Sequence, residues 1–202
     1  MFVLTIDQRA SRRGADLVPD LLTDLDATLG HDDVVLPFVR TVGDEVQGVL
    51  GSPDAVVTLV LDVVRRGGWS TGVGVGEVHP GETAPASTGS AFVHAREAVE
   101  RAKGRTLANA LAVHGDDAPA AARVEAVLQL LASVVRRRTP AQWRALDLLG
   151  RPDATGVRVA RELGVTPQNV SQLRRDALGQ EEAGVREVAV HLLSVAAGRI
   201  ES

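Results

Sequence analysis

Ala154–Arg175, ATGVRVARELGVTPQNVSQLRR, is the stretch from which the rest of the chain can be read. Ala160 and Gly164 stand four residues apart. A small residue is needed where two short helices cross, and a glycine reaches the left-handed turn conformation without strain. Val157, Leu163, Val165, Val170 and Leu173 supply an apolar face between the two helices. Thr166 can cap the second helix, and Pro167 fits its first turn, where no backbone N–H is needed. The second helix then presents Gln168, Asn169, Ser171, Gln172, Arg174 and Arg175 outward.

This is the spacing of a helix-turn-helix, whose second helix enters a DNA major groove. Amides, hydroxyls and guanidinium groups are the side chains that reach base edges and phosphates. Thr166, Gln168, Asn169, Ser171, Gln172, Arg174 and Arg175 are therefore the candidate DNA-binding residues, and double-stranded DNA is the expected partner. Charge agrees with this. Arg136–Asp176 holds nine arginines against four acids, a surplus of +5 that leaves −9 for the rest of a chain whose net charge is −4. A basic segment joined to an acidic body is the pattern of a DNA-binding module attached to a part that does not touch DNA.

Composition narrows the remaining classes. Hydrophobic residues make up 45% of the 202, enough for a packed core, but aromatics make up only 2%. Base stacking on aromatic platforms, the usual route to single-stranded nucleic acid, is thereby disfavoured. The chain has no cysteine, hence no disulfide, thiolate metal site or cysteine nucleophile. No run of 18 apolar residues and no basic N-terminal signal region is present, so a cytoplasmic protein without membrane association is expected.

Taken in order, Met1–Gln8 reads as a buried strand delivering Asp7 to a sheet edge, and a leucine-spaced helix starting near Pro19 follows, closed by Gly30. Val34–Val42 and Val46–Leu50 flank Gly43-Asp44-Glu45 as a hairpin. Ser52-Pro53 opens a helix ending at Gly67-Gly68; Trp69–Val78, Gly89–Lys103 and Ala108–His114 then give strand, helix and strand. This β-α-β-β-α-β-α-β order predicts an α+β domain over residues 1–115 with helices on one face of its sheet. Residues 120–202 should be all-α: a connecting or dimerising helix over Ala121–Arg138 that ends in three arginines, the two-helix reader, and a last amphipathic helix.

Asp7 and Asp44-Glu45 would converge at one sheet edge if their strands are neighbours. Carboxylates so placed hold Mg²⁺ or Mn²⁺ against substrate phosphates, since these hard cations want oxygen ligands. Gly72, Gly74 and Gly76 alternate along a strand without the helix start that a P-loop needs, and fit close approach of a ligand or a neighbouring backbone. The five histidines have no metal-ligand spacing.

IDQRASR, RTVGDEVQGVL, GVGVGEV and GSAFVHAREAVERAKGR, in that order, resemble the SatD family of small bacterial proteins. More distantly, they resemble the palm domain, a ferredoxin-like fold, of GGDEF diguanylate cyclases and class III nucleotidyl cyclases. The resemblance implies that Asp7 and Asp44, with Glu45, bind the metals that hold a purine nucleoside triphosphate, ATP or GTP or a derivative. It also assigns Gly43, Arg96 and Lys103 to the nucleotide. Departures from the cyclase pattern are specific: Val42-Gly43 replaces a glycine pair, and Arg96 replaces an acid of the last helix. In the class III alignment Phe92 stands where an asparagine belongs. The expected function is thus a transcriptional regulator whose cyclase-like domain senses a purine nucleotide with Mg²⁺ or Mn²⁺, with no catalytic residue. A homodimer is expected because one reader helix covers too few base pairs. An active nucleotidyl or diguanylate cyclase with a regulatory tail is the alternative.

Overall fold

A computed structural model describes residues 1–11 and 14–200. Arg12, which ends the IDQRASR stretch, and the last two residues of the 120–202 segment lie outside them. Strand β1 (Phe2–Gln8) leads through α1 (Val18–Thr28) to β2 (Val34–Arg40) and β3 (Glu45–Leu50), then α2 (Pro53–Arg66), β4 (Trp69–Val75), α3 (Ser90–Lys103) and β5 (Leu111–Gly115). The remaining chain is α4 (Ala118–Arg137), α5 (Pro140–Leu149), α6 (Gly156–Leu163), α7 (Pro167–Asp176) and α8 (Gly179–Ala196). The fold is α+β, with one five-stranded mixed sheet in the order β2-β3-β1-β4-β5. All neighbours pair antiparallel except β4 and β5, which run parallel.

Helices cover both faces of the sheet, not one as the sequence suggested. Phe2, Leu4, Ile6, Val73, Val75, Leu111 and Val113 point into the main core with α1, α2 and α4. Helix α3 lies against the opposite face, where Ala91, Ala95, Ala98 and Ala102 meet Val3, Val49 and Ala112. The alternating glycines are the reason. A Cβ on Gly72 would sit 2.4 Å from the Ala95 carbonyl oxygen, and one on Gly74 would sit 2.0 Å from that of Ala91. The glycine spacing therefore admits a helix backbone rather than a ligand. On the other face α2 is set by its ends: Ser52 accepts from the Ala55 N–H, Pro53 takes the first turn, and Gly67 leaves at φ 68°. Its buried Val and Leu side chains each contribute roughly 1.5–3 kcal/mol.

Helix α4 packs its Val124, Leu128, Leu131 and Val135 into the same core, and Ala189, Leu193 and Ala196 of α8 complete it. Among the described residues α4 is the one helix with the length and mean hydropathy, 1.4, of a membrane span. The three arginines that end it have separate fates. Arg136 donates to Asn109 Oδ1 at 3.2 Å, Arg137 is exposed, and Arg138 is buried. Arg138 donates to the Ala177 carbonyl at 2.7 and 2.9 Å, pairs with Glu182 and lies 4.7 Å over the Trp143 ring. The same ring carries Arg65 at 4.0 Å, itself bound in a fork to Asp147 at 2.6 and 2.7 Å. So α2, α4, α5 and α8 are clamped at one junction.

Helices α6 and α7 meet through Val159, Ala160 and Val170, with Leu148 of α5 beneath them. Gly164 takes φ 68°, ψ 32° between them. Two of the expected apolar contacts differ: Val157 is 59% exposed and Val165 39%. Because α6 begins at Gly156, Val159, Ala160 and Leu163 share its inner stripe and Val157 turns outward.

Candidate functional site

The β2–β3 hairpin turns through Thr41–Asp44, closed by Thr41 N–H to the Glu45 carbonyl at 2.9 Å. Gly43 holds φ +66°, a conformation that disfavours any side chain. The turn rests on the end of β1, where the Gln8 N–H donates to the Asp44 carbonyl at 3.1 Å, and the β1–β3 register sets Asp7 opposite Glu45. The β1–β4 register sets Asp7 opposite Ser70. Lys103, at the end of α3, reaches over to Asp7 Oδ2 at 2.9 Å and to Glu100 at 2.8 Å.

These elements enclose an open cleft of about 970 Å³ lined by Asp7, Arg9, Gly43, Asp44, Ser70 and Lys103, among others. Its floor is fixed by Gln8, buried, whose side chain donates to the Ala15 carbonyl and accepts from the Leu17 N–H. Its rim includes Ala10 at φ +60°, one of three non-glycine residues with positive φ among those described. Such a conformation costs about 1–2 kcal/mol and gathers at ligand-binding loops. Burial lowers the Lys103 ammonium, but its bonds to Glu100 and Asp7 outweigh that and hold it above its usual range.

Of the residues assigned to a nucleotide and its metal, Asp7, Gly43, Asp44 and Lys103 share this cleft. Glu45 and Arg96 line a neighbouring depression with Thr41, Phe92 and Glu100, and Glu45 accepts from the Thr41 hydroxyl at 2.7 Å. Sequence reasoning missed Ser70 and Arg9, which reach the cleft only because β4 pairs with β1 and the loop after β1 folds back to Gly68. Ser70 is fully buried, and its hydroxyl is the one buried side-chain polar atom among the described residues without a hydrogen-bond partner.

No three of the described His, Asp and Glu residues form a group able to hold a metal ion. The donor set of the cleft, two carboxylates beside a lysine and an arginine, fits a cation that arrives with phosphates rather than one resident alone, since Mg²⁺ is commonly held by one or two carboxylates plus substrate oxygens. A separate cluster joins His94 to Asp116 at 3.0 Å and His114 to Glu97 at 3.2 Å.

On α7 all seven candidate DNA-contacting side chains are exposed. Thr166 caps the helix by accepting from the Asn169 N–H at 3.2 Å. Arg175, Gln172 and Asp176 form a chain of 2.6 Å hydrogen bonds along its surface, while Arg174 has no ion-pair partner among the described residues. No protein-family model, curated protein or solved structure matches the chain.

Proposed function

We propose that this chain is a DNA-binding transcriptional regulator in which α6 and α7 form a helix-turn-helix and the sheet cleft senses a purine nucleotide carried with Mg²⁺ or Mn²⁺. The observation that carries the reading is the exposed polar face of α7. A helix that follows a left-handed glycine, packs only Val170 and Leu173 inward, and offers amides, hydroxyls and arginines to solvent has no packing use for them. The strand order β2-β3-β1-β4 with antiparallel pairing, and α1 and α2 on one face, supports a ferredoxin-like palm extended by β5, in keeping with the SatD and cyclase resemblance.

In the cleft, Asp7 and Asp44 would hold the cation, which supplies charge neutralisation between the carboxylates and the phosphates. Lys103 exchanges its bond to Asp7 for one to a phosphate oxygen, and Arg9 adds a second cationic contact. Gly43 leaves the rim open, and the Ser70 hydroxyl gains the partner it lacks. Nucleotide occupancy then acts on DNA binding through the loop after β1, whose Arg9 N–H bonds Gly68 just beyond α2, and through Arg65 of α2 on Asp147 of α5. A ligand that binds the DNA-competent and DNA-incompetent states unequally shifts their balance.

The test is fluorescence anisotropy on DNA duplexes selected from a random pool, with and without ATP or GTP and Mg²⁺. Selection of a defined sequence whose affinity changes with nucleotide supports the reading. No selected sequence, or production of a cyclic nucleotide by the chain, overturns it.

A further inference from the structure

Helices α4 and α8 leave a shared face uncovered. On α4, Ala122, Ala126, Leu130 and Arg137 are exposed and Ser133 is half-buried, a spacing of 4-4-3-4. On α8, Glu181, Val185 and Val188 are exposed and Leu192 is half-buried, a spacing of 4-3-4. Each is a seam of the kind that one helix offers to another. Leu130 is 68% exposed and Val188 49%, and a groove of about 500 Å³ lies between the last two turns of α4 and the first turns of α8, closed at its end by Gln142 and Asp176–Leu178.

We infer that a second copy of this chain covers this face, with the two-fold axis lying along α4 and α8 so that α4 of one copy packs antiparallel on α8 of the other. Charge selects both the occupant and the axis. Arg138 and Glu182 consume each other inside the fold, but their neighbours Arg137 and Glu181 line the groove, and among the described residues neither makes an ion pair within the chain.

Within one copy α4 and α8 are antiparallel. Arg138, just past α4, meets Glu182 at the start of α8, whereas Arg199, past the end of α8, lies over Phe2. Phe2 pairs with Val75, which pairs with Gly115, and Gly115 leads into α4. An axis along the helices therefore sets Arg137 of one copy near Glu181 of the other, and Leu130 near Val188. An axis across them would centre on Leu130 and bring Arg123, seven residues before it, against Arg137, seven residues after it. That is a like-charge contact.

The chosen axis also leaves the α5–α7 segments of both copies at one end of the four-helix assembly. The area suffices: helices of 20 and 18 residues present seams about 30 and 27 Å long, enough for the roughly 800 Å² per partner of a standard interface.

Sedimentation velocity on the full chain over a dilution series tests this. The wild type is expected to dimerise. Leu130→Asp should abolish the dimer while circular dichroism and the melting transition stay those of a folded chain, because this leucine is exposed in the single copy. Arg137→Glu and Glu181→Arg should each weaken association by about 100-fold, and the double variant should restore most of it.

The absence of cysteine makes cross-linking unambiguous. Mixed Leu130→Cys and Val188→Cys proteins should form a disulfide-linked heterodimer on oxidation. A wild type that stays monomeric, a dimer indifferent to Leu130→Asp, or a double charge variant no better than the single ones overturns the inference. Binding of a monomeric wild type to phospholipid vesicles would also overturn it, by giving this face to a membrane.

Discussion

Lys103 Nζ stands 2.9 Å from Asp7 Oδ2 across the mouth of the cleft, so the acid at the end of β1 and the base at the end of α3 neutralise each other. Under the proposed function, Asp7 is then a poor ligand for a lone cation and becomes available when phosphates draw Lys103 away. Calorimetry should accordingly show no binding of Mn²⁺ alone to the wild type, and binding of Mn²⁺ with ATP or GTP. Lys103→Met should invert the pattern, making Mn²⁺ alone detectable while weakening the nucleotide roughly tenfold, the size of one charge-assisted contact.

Two glycines make opposite demands, and alanine substitution separates them. Nothing lies within 4 Å of a Cβ on Gly164, so Gly164→Ala meets only the left-handed backbone, an expected loss of about 1–2 kcal/mol in chemical denaturation. Gly74→Ala drives a methyl into the Ala91 carbonyl and the Ala95 N–H of α3. Overpacking typically costs about 1–3 kcal/mol, and here the obstacle is helix backbone rather than a side chain that can turn aside, so this variant should melt below the other.

Arg138 and Glu182 test the junction. Their pair is buried, and removing one partner strands a charge, so Arg138→Met should cost about 3–5 kcal/mol. Arg138→Met with Glu182→Leu should recover most of that loss, because apolar replacement of both partners removes the desolvation of each. Denaturant midpoints of the two variants measure the difference.

On α7, Arg174→Ala or Gln168→Ala should weaken binding to the selected duplex by about 1–3 kcal/mol if the side chain reads a base edge. A side chain that touches only phosphate should instead weaken all sequences alike and reduce the salt slope by about one ion.

Asp116 gives an acid-side signature. The hydrogen bond to His94, with a further one from Ser90, holds its carboxyl below the ordinary value of 3.8 against the effect of burial. A depressed acid contributes stability above its unfolded pKa and loses it as pH falls through the folded value. Asp116→Asn should therefore flatten the stability profile below about pH 4, by less than about 1 kcal/mol because the pair is exposed.

Period and punctuation made the elements legible. Ser52-Pro53 and Gly67-Gly68 bracket α2, and Thr166-Pro167 starts α7 where a cap and a proline should. Asp7 and Asp44 could be named because carboxylates so placed suggest the chemistry, whereas Lys103 is named only through the resemblance to the cyclase palm. Layering was harder to read: Gly72 and Gly74 announce that something comes close, but only the β4-α3-β5 crossover decides that it is a helix. Ser70 was invisible for the same reason, since its place beside Asp7 is a matter of register between strands more than sixty residues apart. Arg138 looked like its two neighbours, and burial alone separates it from them.

The chain contains two tryptophans and no tyrosine. Trp69 stands at the start of β4 beside Ser70, and the Trp143 ring carries the guanidinium groups of Arg65 and Arg138 at the junction. The protein's emission is therefore divided between one fluorophore whose strand neighbour Ser70 lines the cleft and one at the junction of α2, α4, α5 and α8. With Trp69→Phe, the remaining signal would follow, in real time and without a label, whether a ligand in the cleft disturbs the cations around Trp143.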